Sequence, residues 1–285
     1  HPQGLTDEEA RQLAREGKAI VHIDGGLHAS EVAPTQHTME LAYDLVAGVD
    51  NPEIQAILEN VIVLLWPSIN PDGQTLVADW YEPNVGTPYE TSSMPWHYQK
   101  YVGHDNNRDA YTLNMIESRV IERTWRHWEP QIRYIPHQSP PFPSRIFLPP
   151  YADPIANRVH PLMSRTINTL GMLIAQALEE RGQVGAAHME EFDVWYPGYV
   201  DHLPNLQNAV TFFTETALFE YATPRFYTLR DIPEHRRDLR PESLYSSPWP
   251  GGWWRLRDAV EYILTSSHAT LGFAAKYKER VLYNR

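Results

Sequence analysis

The chain alternates between short apolar runs and longer stretches with helical spacing. Residues 18–24, KAIVHID, are the length of a buried strand. Residues 31–47 then place Met39, Ala42, Leu45 and Val46 on a helical repeat, and VIVLLWP at 61–67 predicts a second strand. Together these make a β-α-β unit. A helix is predicted over YTLNMIESRVIERTWRHW at 111–128, with Leu113, Ile116, Val120 and Trp125 on one face, followed by a short strand at IRYIPH. A long helix within 157–182, a strand at AVTFFTETA and a last helix from about Trp253 towards Tyr283 complete the pattern. The tryptophan-rich segment WPGGWWRLRDAVEYIL ahead of and within that helix is read as core packing.

Strands separated by helices of ten or more residues predict an α/β fold: a single domain over 1–285 with a mostly parallel mixed sheet flanked by helices on both faces. No Ser/Gly-rich or low-complexity linker divides the 285 residues. Ligands of such sheets sit beyond the carboxyl ends of the strands, so the polar residues there are the candidates for chemistry. His28 and Glu31 follow the first strand. Asn70, Pro71, Asp72 and Gly73 follow the second, His137 follows the third, and Glu215 lies inside the fourth. The His-x-x-Glu spacing recurs at His37/Glu40 and His188/Glu191, but the first pair falls mid-helix and the second follows no apolar run. Both are read as solvated faces.

Composition narrows the chemistry. There are 36 acidic and 24 basic residues, so 24 − 36 gives a net charge of −12, and no basic run tracks a phosphate backbone. Nucleic acid is excluded as a partner on this ground. There are no cysteines, so any metal must be held by His, Asp and Glu. The apolar runs are far shorter than the roughly 20 residues a membrane helix needs.

Two histidines and one carboxylate leave one position open on a tetrahedral zinc, the arrangement of a catalytic site. His28, Glu31 and His137 supply that set, with the first two expected one turn apart at a helix start. Each also has an ordinary structural reading: His28 as a cap, Glu31 as a first-turn acid, His137 as a core histidine. That reading must hold at converging places, and it leaves the acid within TFFTETA without a role.

HASE, NPDG, GHDNNRD, IPHQ and FFTETA, in this order over positions 18–218, resemble the motifs of the zinc carboxypeptidase family, the M14-type metallopeptidases. The resemblance implies that His28, Glu31 and His137 ligate a single zinc ion per chain and that Glu215 is the general base. It implies that Asp105 orients a ligand histidine and that Asn107 and Arg108 grip the terminal carboxylate of a peptide, which arginine's planar fork suits. The expected activity is a zinc-dependent hydrolase that removes C-terminal residues from peptides or proteins. Relatives that cleave small N-acyl amino acids, and a non-catalytic peptide-binding pseudo-peptidase, are the alternatives. GHDNNRD and HQ are similar to motifs of large exported bacterial carboxypeptidase-like proteins, which implies a secreted or periplasmic location.

The sequence departs from the family pattern in several places. No arginine lies between Gly73 and Asp105 to stabilise an oxyanion. Lys100, or Arg145 in the proline-rich loop after His137, is expected to substitute. Tyr196 and Tyr199 are candidates for the tyrosine that caps the substrate, although neither has the usual separation from Glu215. Counting back from Glu215 puts Val200 at the base of the specificity pocket, which favours an apolar or aromatic terminal residue. The segment before His28 is shorter than the family's first strands require, so either edge strands or an upstream segment is expected to be missing.

Overall fold

The computed structural model describes residues 4–140 and 144–285. In chain order the elements are α1 (Asp7–Glu16), β1 (Ala19–Asp24), α2 (Val32–Ala47), α3 (Pro52–Asn60), β2 (Val61–Trp66), α4 (Pro71–Tyr81), α5 (Ile116–Trp128), β3 (Ile132–Ser139), β4 (Ile146–Leu148), α6 (Pro161–Glu180), β5 (Ala186–His188), β6 (Val210–Ala217), β7 (Arg225–Tyr227), β8 (Gly252–Trp254), α7 (Leu256–Lys276) and α8 (Lys278–Tyr283). Six strands form one sheet in the order β2-β1-β3-β6-β4-β5. All neighbours are parallel except β6 and β4, which run antiparallel with Phe147 opposite Glu215. A separate antiparallel pair joins β7 to β8 of the tryptophan-rich tail.

The alternation of each strand sorts its side chains between two layers. Val21 and Ile23 of β1, Ile132 and Tyr134 of β3, and Phe212 of β6 join α2, α6 and α7 in the main core. Removing this face from water supplies the main stabilisation of the fold. The opposite face holds a smaller apolar cluster of Ile135 and Phe213 with Ile121 and Trp125 of α5, and it carries His22, Asp24, Arg133, His137 and Glu215 at the alternate positions.

Several predicted boundaries move. The stretch at 111–128 becomes helical only from Ile116, because Leu113 adopts a left-handed φ of 52° and the chain turns there. The helix buries Ser118, Ile121 and Trp125, while Ile116 and Val120 of the predicted face are exposed. NPDG is the start of α4 rather than a free turn: Asn70 caps the helix by accepting from Gly73 N–H at 2.9 Å, with Pro71 in the first turn. His37 is fully buried between Pro34 O and Ser267 Oγ, and His188 ends β5 against Pro149 O. Neither histidine lies on a solvated face. No helix among the described residues is long and apolar enough to cross a membrane.

Candidate metal centre

Between β1 and α2 the chain makes a tight crossing at Gly25 and Gly26. A Cβ on Gly25 would lie 2.6 Å from Pro34 O and 2.8 Å from Pro67 O, and Gly26 has a φ of +64°, so both positions require glycine. His28 follows in a turn closed by Glu31 N–H donating to His28 O at 3.1 Å, and α2 begins only after Glu31. The His-x-x-Glu pair therefore converges through a turn rather than through the helical repeat expected of it.

His28, Glu31 and His137 each offer a ligand atom within 4.8 Å of the others. His28 Nδ1 is 2.6 Å from Glu31 Oε1, and His137 Nδ1 is 3.0 Å from Glu31 Oε2. Gln138 N–H also donates to Glu31 Oε2, at 2.9 Å, which fixes the carboxylate against β3. The far side of each ring faces another acid. His28 Nε2 is 2.9 Å from Asp105 Oδ1, and His137 Nε2 is 3.2 Å from Asp201 Oδ2, off the straight line of a ring N–H bond. Asn107 joins the two acids: its backbone N–H donates to Asp105 Oδ1 at 2.7 Å, and its Nδ2 donates to Asp201 Oδ2 at 2.9 Å. His28, Asp105, Asn107, Asp201, His137 and Glu31 thus form a closed ring of polar contacts.

This donor set fits zinc. Carboxylates only accept, so acids on both Nε2 atoms favour the tautomers whose Nδ1 lone pairs point at Glu31, leaving two imidazole nitrogens and a carboxylate on one point. Without a metal the ring holds protons in the place of the cation, and binding the cation would release them. Burial alone would lower His28, but Glu31 and Asp105 raise it to about 9. Burial would raise Glu31, but the two histidines hold it at about 2. A carboxylate so ready to share positive charge is suited to a cation.

Glu215 lies across the β3–β6 pairing from His137 and lines a cleft of about 290 Å³ with His28, Glu31, Arg108, Tyr199 and Phe213. Burial, with Glu31 adding to it, raises Glu215 to about 8, so this carboxyl holds a proton near neutrality. Arg108 stacks over the Tyr199 ring at 4.5 Å and lies 3.3 Å from Asp105, with nearly half of its side chain exposed.

Other predicted positions fall elsewhere. Arg145 does not reach the cleft. It is fully buried under β4, with its guanidinium 3.7 Å from the Trp249 ring centre, 4.7 Å from Trp254 and 5.3 Å from Tyr227. The tail tryptophans fold over it, which is why it cannot serve as an oxyanion cation. Lys100 is pulled outward to Asp72 at 3.3 Å. Tyr199 lines the cleft, whereas Tyr196 stands outside it, edge-on between Tyr199 and Tyr111. Val200 faces the apolar cluster with Ile121 and Trp125, and its neighbour Asp201 faces the cleft, so the apolar pocket base inferred by counting is not there. Glu191 and Asp193 line the wall instead. The sequence reading missed Asp201 and Gln138; a lone acid in the apolar run YVDHL was the available signal for the first.

Residues 4–131 match the family model described as zinc carboxypeptidase. That stretch of the chain is similar to the zinc carboxypeptidase family. Among solved structures it is similar to a metallo-carboxypeptidase from Burkholderia cenocepacia, with a TM-score of 0.56 and 11% identity, over 91% of this chain and 58% of that one. It is also similar to a metallo-carboxypeptidase from Pseudomonas aeruginosa in complex with (2-guanidinoethylmercapto)succinic acid: TM-score 0.58, 14% identity, 93% of this chain and 59% of that one. A third is bovine thrombin-activatable fibrinolysis inhibitor in complex with tick carboxypeptidase inhibitor, with a TM-score of 0.52 and 13% identity over 91% and 83% of the two chains. At these identities the likeness establishes the zinc carboxypeptidase fold. The chain spans about three-fifths of the length of the two bacterial structures. No curated protein matches the sequence.

Proposed function

We propose that this protein is a member of the zinc carboxypeptidase family and an active metallopeptidase that removes residues from peptide C-termini, with His28, Glu31 and His137 holding a single zinc ion. The observation that carries the reading is the position of Glu215. A half-buried carboxyl with a raised pKa faces the same cleft as His28 and Glu31, two of the three convergent ligand residues, and as the exposed Arg108 guanidinium, and it lies across the strand pairing from the third, His137.

The chemistry that zinc supplies in such a site is Lewis acidity, which acidifies a water and polarises a carbonyl. Glu215 takes a proton from the attacking water and returns it to the leaving amine, work for which a pKa near neutrality is the best compromise. Arg108 is steadied by Tyr199 and Asp105 and offers its remaining N–H groups to a terminal carboxylate. The acidic wall of Glu191 and Asp193 favours a terminal residue with a cationic side chain over an apolar one.

The test is metal content with peptide turnover. The expected result is zinc bound to the chain, release of C-terminal residues from a mixed peptide pool, and a loss of about 10²–10⁴-fold in rate in Glu215→Gln. One observation favours a second reading: among the described residues the cleft lining holds no cation besides Arg108 and the ligand histidine. A binding protein for peptide C-termini would need no oxyanion donor. Zinc retention with peptide affinity but no release, in wild type and Glu215→Gln alike, would select that reading.

A further inference from the structure

We infer that Asp201 is the positioning residue of His137, as Asp105 is of His28, and that Asn107 braces the two acids so that both imidazoles are set by one unit. The inference rests on the zinc reading of the site.

Asp201 is almost fully buried, and its side chain has no lysine or arginine in an ion pair among the described residues. An isolated buried carboxylate is expensive, so its partners explain why it is kept. They are Asn107 Nδ2 at 2.9 Å and His137 Nε2 at 3.2 Å, both on the same atom, Oδ2. The equivalent atom of Asp105 is also shared, between His28 Nε2 at 2.9 Å and Asn107 N–H at 2.7 Å. The two halves of the centre therefore repeat one arrangement of histidine, acid and asparagine, although they come from unrelated parts of the chain.

Asn107 is consequently spoken for. Its Oδ1 accepts from Val200 N–H at 2.8 Å and its Nδ2 donates to Asp201, so both ends of the side chain hold the 200–201 loop. Its main work is to hold that loop and the two acids, and gripping the substrate carboxylate falls to Arg108. An acid on Nε2 fixes the ring's rotation and keeps the proton on that nitrogen, which raises the basicity of the other one. Losing Asp201 frees the His137 ring without removing a ligand.

The experiment measures zinc affinity by competition with a chromophoric chelator for the wild-type chain, Asp201→Asn, Asp105→Asn and the double variant, beside melting of the metal-free proteins. Asp201→Asn is expected to weaken zinc binding about 10–100-fold. Asp201→Glu, which keeps the charge, recovers part of the loss, and the double variant loses less than the two singles multiplied together because they share Asn107. A role confined to anchoring the loop would lower the melting temperature of the metal-free protein and leave zinc affinity at the wild-type value, and that result overturns the inference. If the wild-type chain binds no zinc, the reading of the site and this inference fall together; tight wild-type binding with an unchanged Asp201→Asn sinks the inference alone. Should Asp201→Asn fail to fold, nitrogen NMR of the zinc-loaded wild type decides. His28 and His137 should both carry the proton on Nε2, and a His137 protonated on Nδ1 overturns the proposal.

Discussion

Two of the buried charged groups among the described residues are held in different ways. At the exits of β1 and β3, two histidines are surrounded by three carboxylates in a ring that opens on the cleft. Beneath β4, Arg145 is enclosed by Trp249, Trp254 and Tyr227, and burial lowers it to about 10, leaving it charged at neutral pH. The ring balances charge with ionisable partners that can exchange a proton for a metal. The cage sets the guanidinium against aromatic faces, which attract it through their quadrupoles. Depth of burial therefore does not mark a functional charge; the nature of its partners does. The ring is suited to chemistry, and the cage fastens the tryptophan-rich tail to the sheet.

The largest effect expected to separate them is catalytic. Glu215→Gln should lower peptide release by about 10²–10⁴-fold while the metal-free protein melts no lower than wild type, since a buried acid has been replaced by a neutral isostere. The converse experiment is Arg145→Ala. It should cost about 3 kcal/mol or more in urea unfolding, from the emptied space and the lost packing of the arginine stem. Zinc affinity of the folded fraction should stay within about twofold, because the cage lies at β4 and the tail whereas the ligand atoms lie at β1 and β3. A large drop in zinc affinity there would show that the two clusters are coupled.

A smaller, pH-dependent effect belongs to Asp24. It is fully buried on the same sheet face as His137, and burial raises it to about 8. An aspartate in the unfolded chain ionises near 3.9, so the folded state keeps a proton that the unfolded state loses between these values. Stability is then undiminished below about pH 4, declines as pH rises towards 8, and levels off above it. Asp24→Asn should melt higher than wild type at pH 9 and equally at pH 4. Equal melting at both would show that Asp24 is solvated. The smallest effect is expected at Arg257, which pairs with Glu40 and Glu261 on the exposed side of α7. Arg257→Ala should change stability by no more than about 1 kcal/mol and leave activity alone.

What could be read from the sequence follows from what each feature depends on. The strands β1, β2, β3 and β6 are runs of six to eight residues whose apolar character is local, so they are visible without the fold. β4 and β5 have three residues each and are strands only because β6 gives them an edge. The face of α5 was misread because Ile116 and Trp125, nine residues apart, stand on opposite sides of a 3.6-residue repeat, and the helix turns Ser118, Ile121 and Trp125 inward. In the centre, spacing and strand ends pointed to His28, Glu31, His137 and Glu215; the structure gathers the first three, and His28, Glu31 and Glu215 line one cleft while His137 is buried beside it. Asp201 was not legible, because its meaning lies in contacts with residues 64 and 94 positions away. Arg145 misled because it follows His137 closely in sequence, whereas its surroundings are made by tryptophans about a hundred residues later.

The glycine crossing has a bearing on natural variation. At Gly25 the carbonyls of Pro34 and Pro67 leave no room for a Cβ, and at Gly26 the backbone itself resists one. Every single-base change that alters a glycine codon's amino acid adds at least that carbon, so these two positions are closed to gradual replacement even in a descendant that has abandoned metal and catalysis. Lineages that lose the activity should shed His28, Glu31 and Glu215 first and carry the two glycines on, a record of crowding rather than of chemistry.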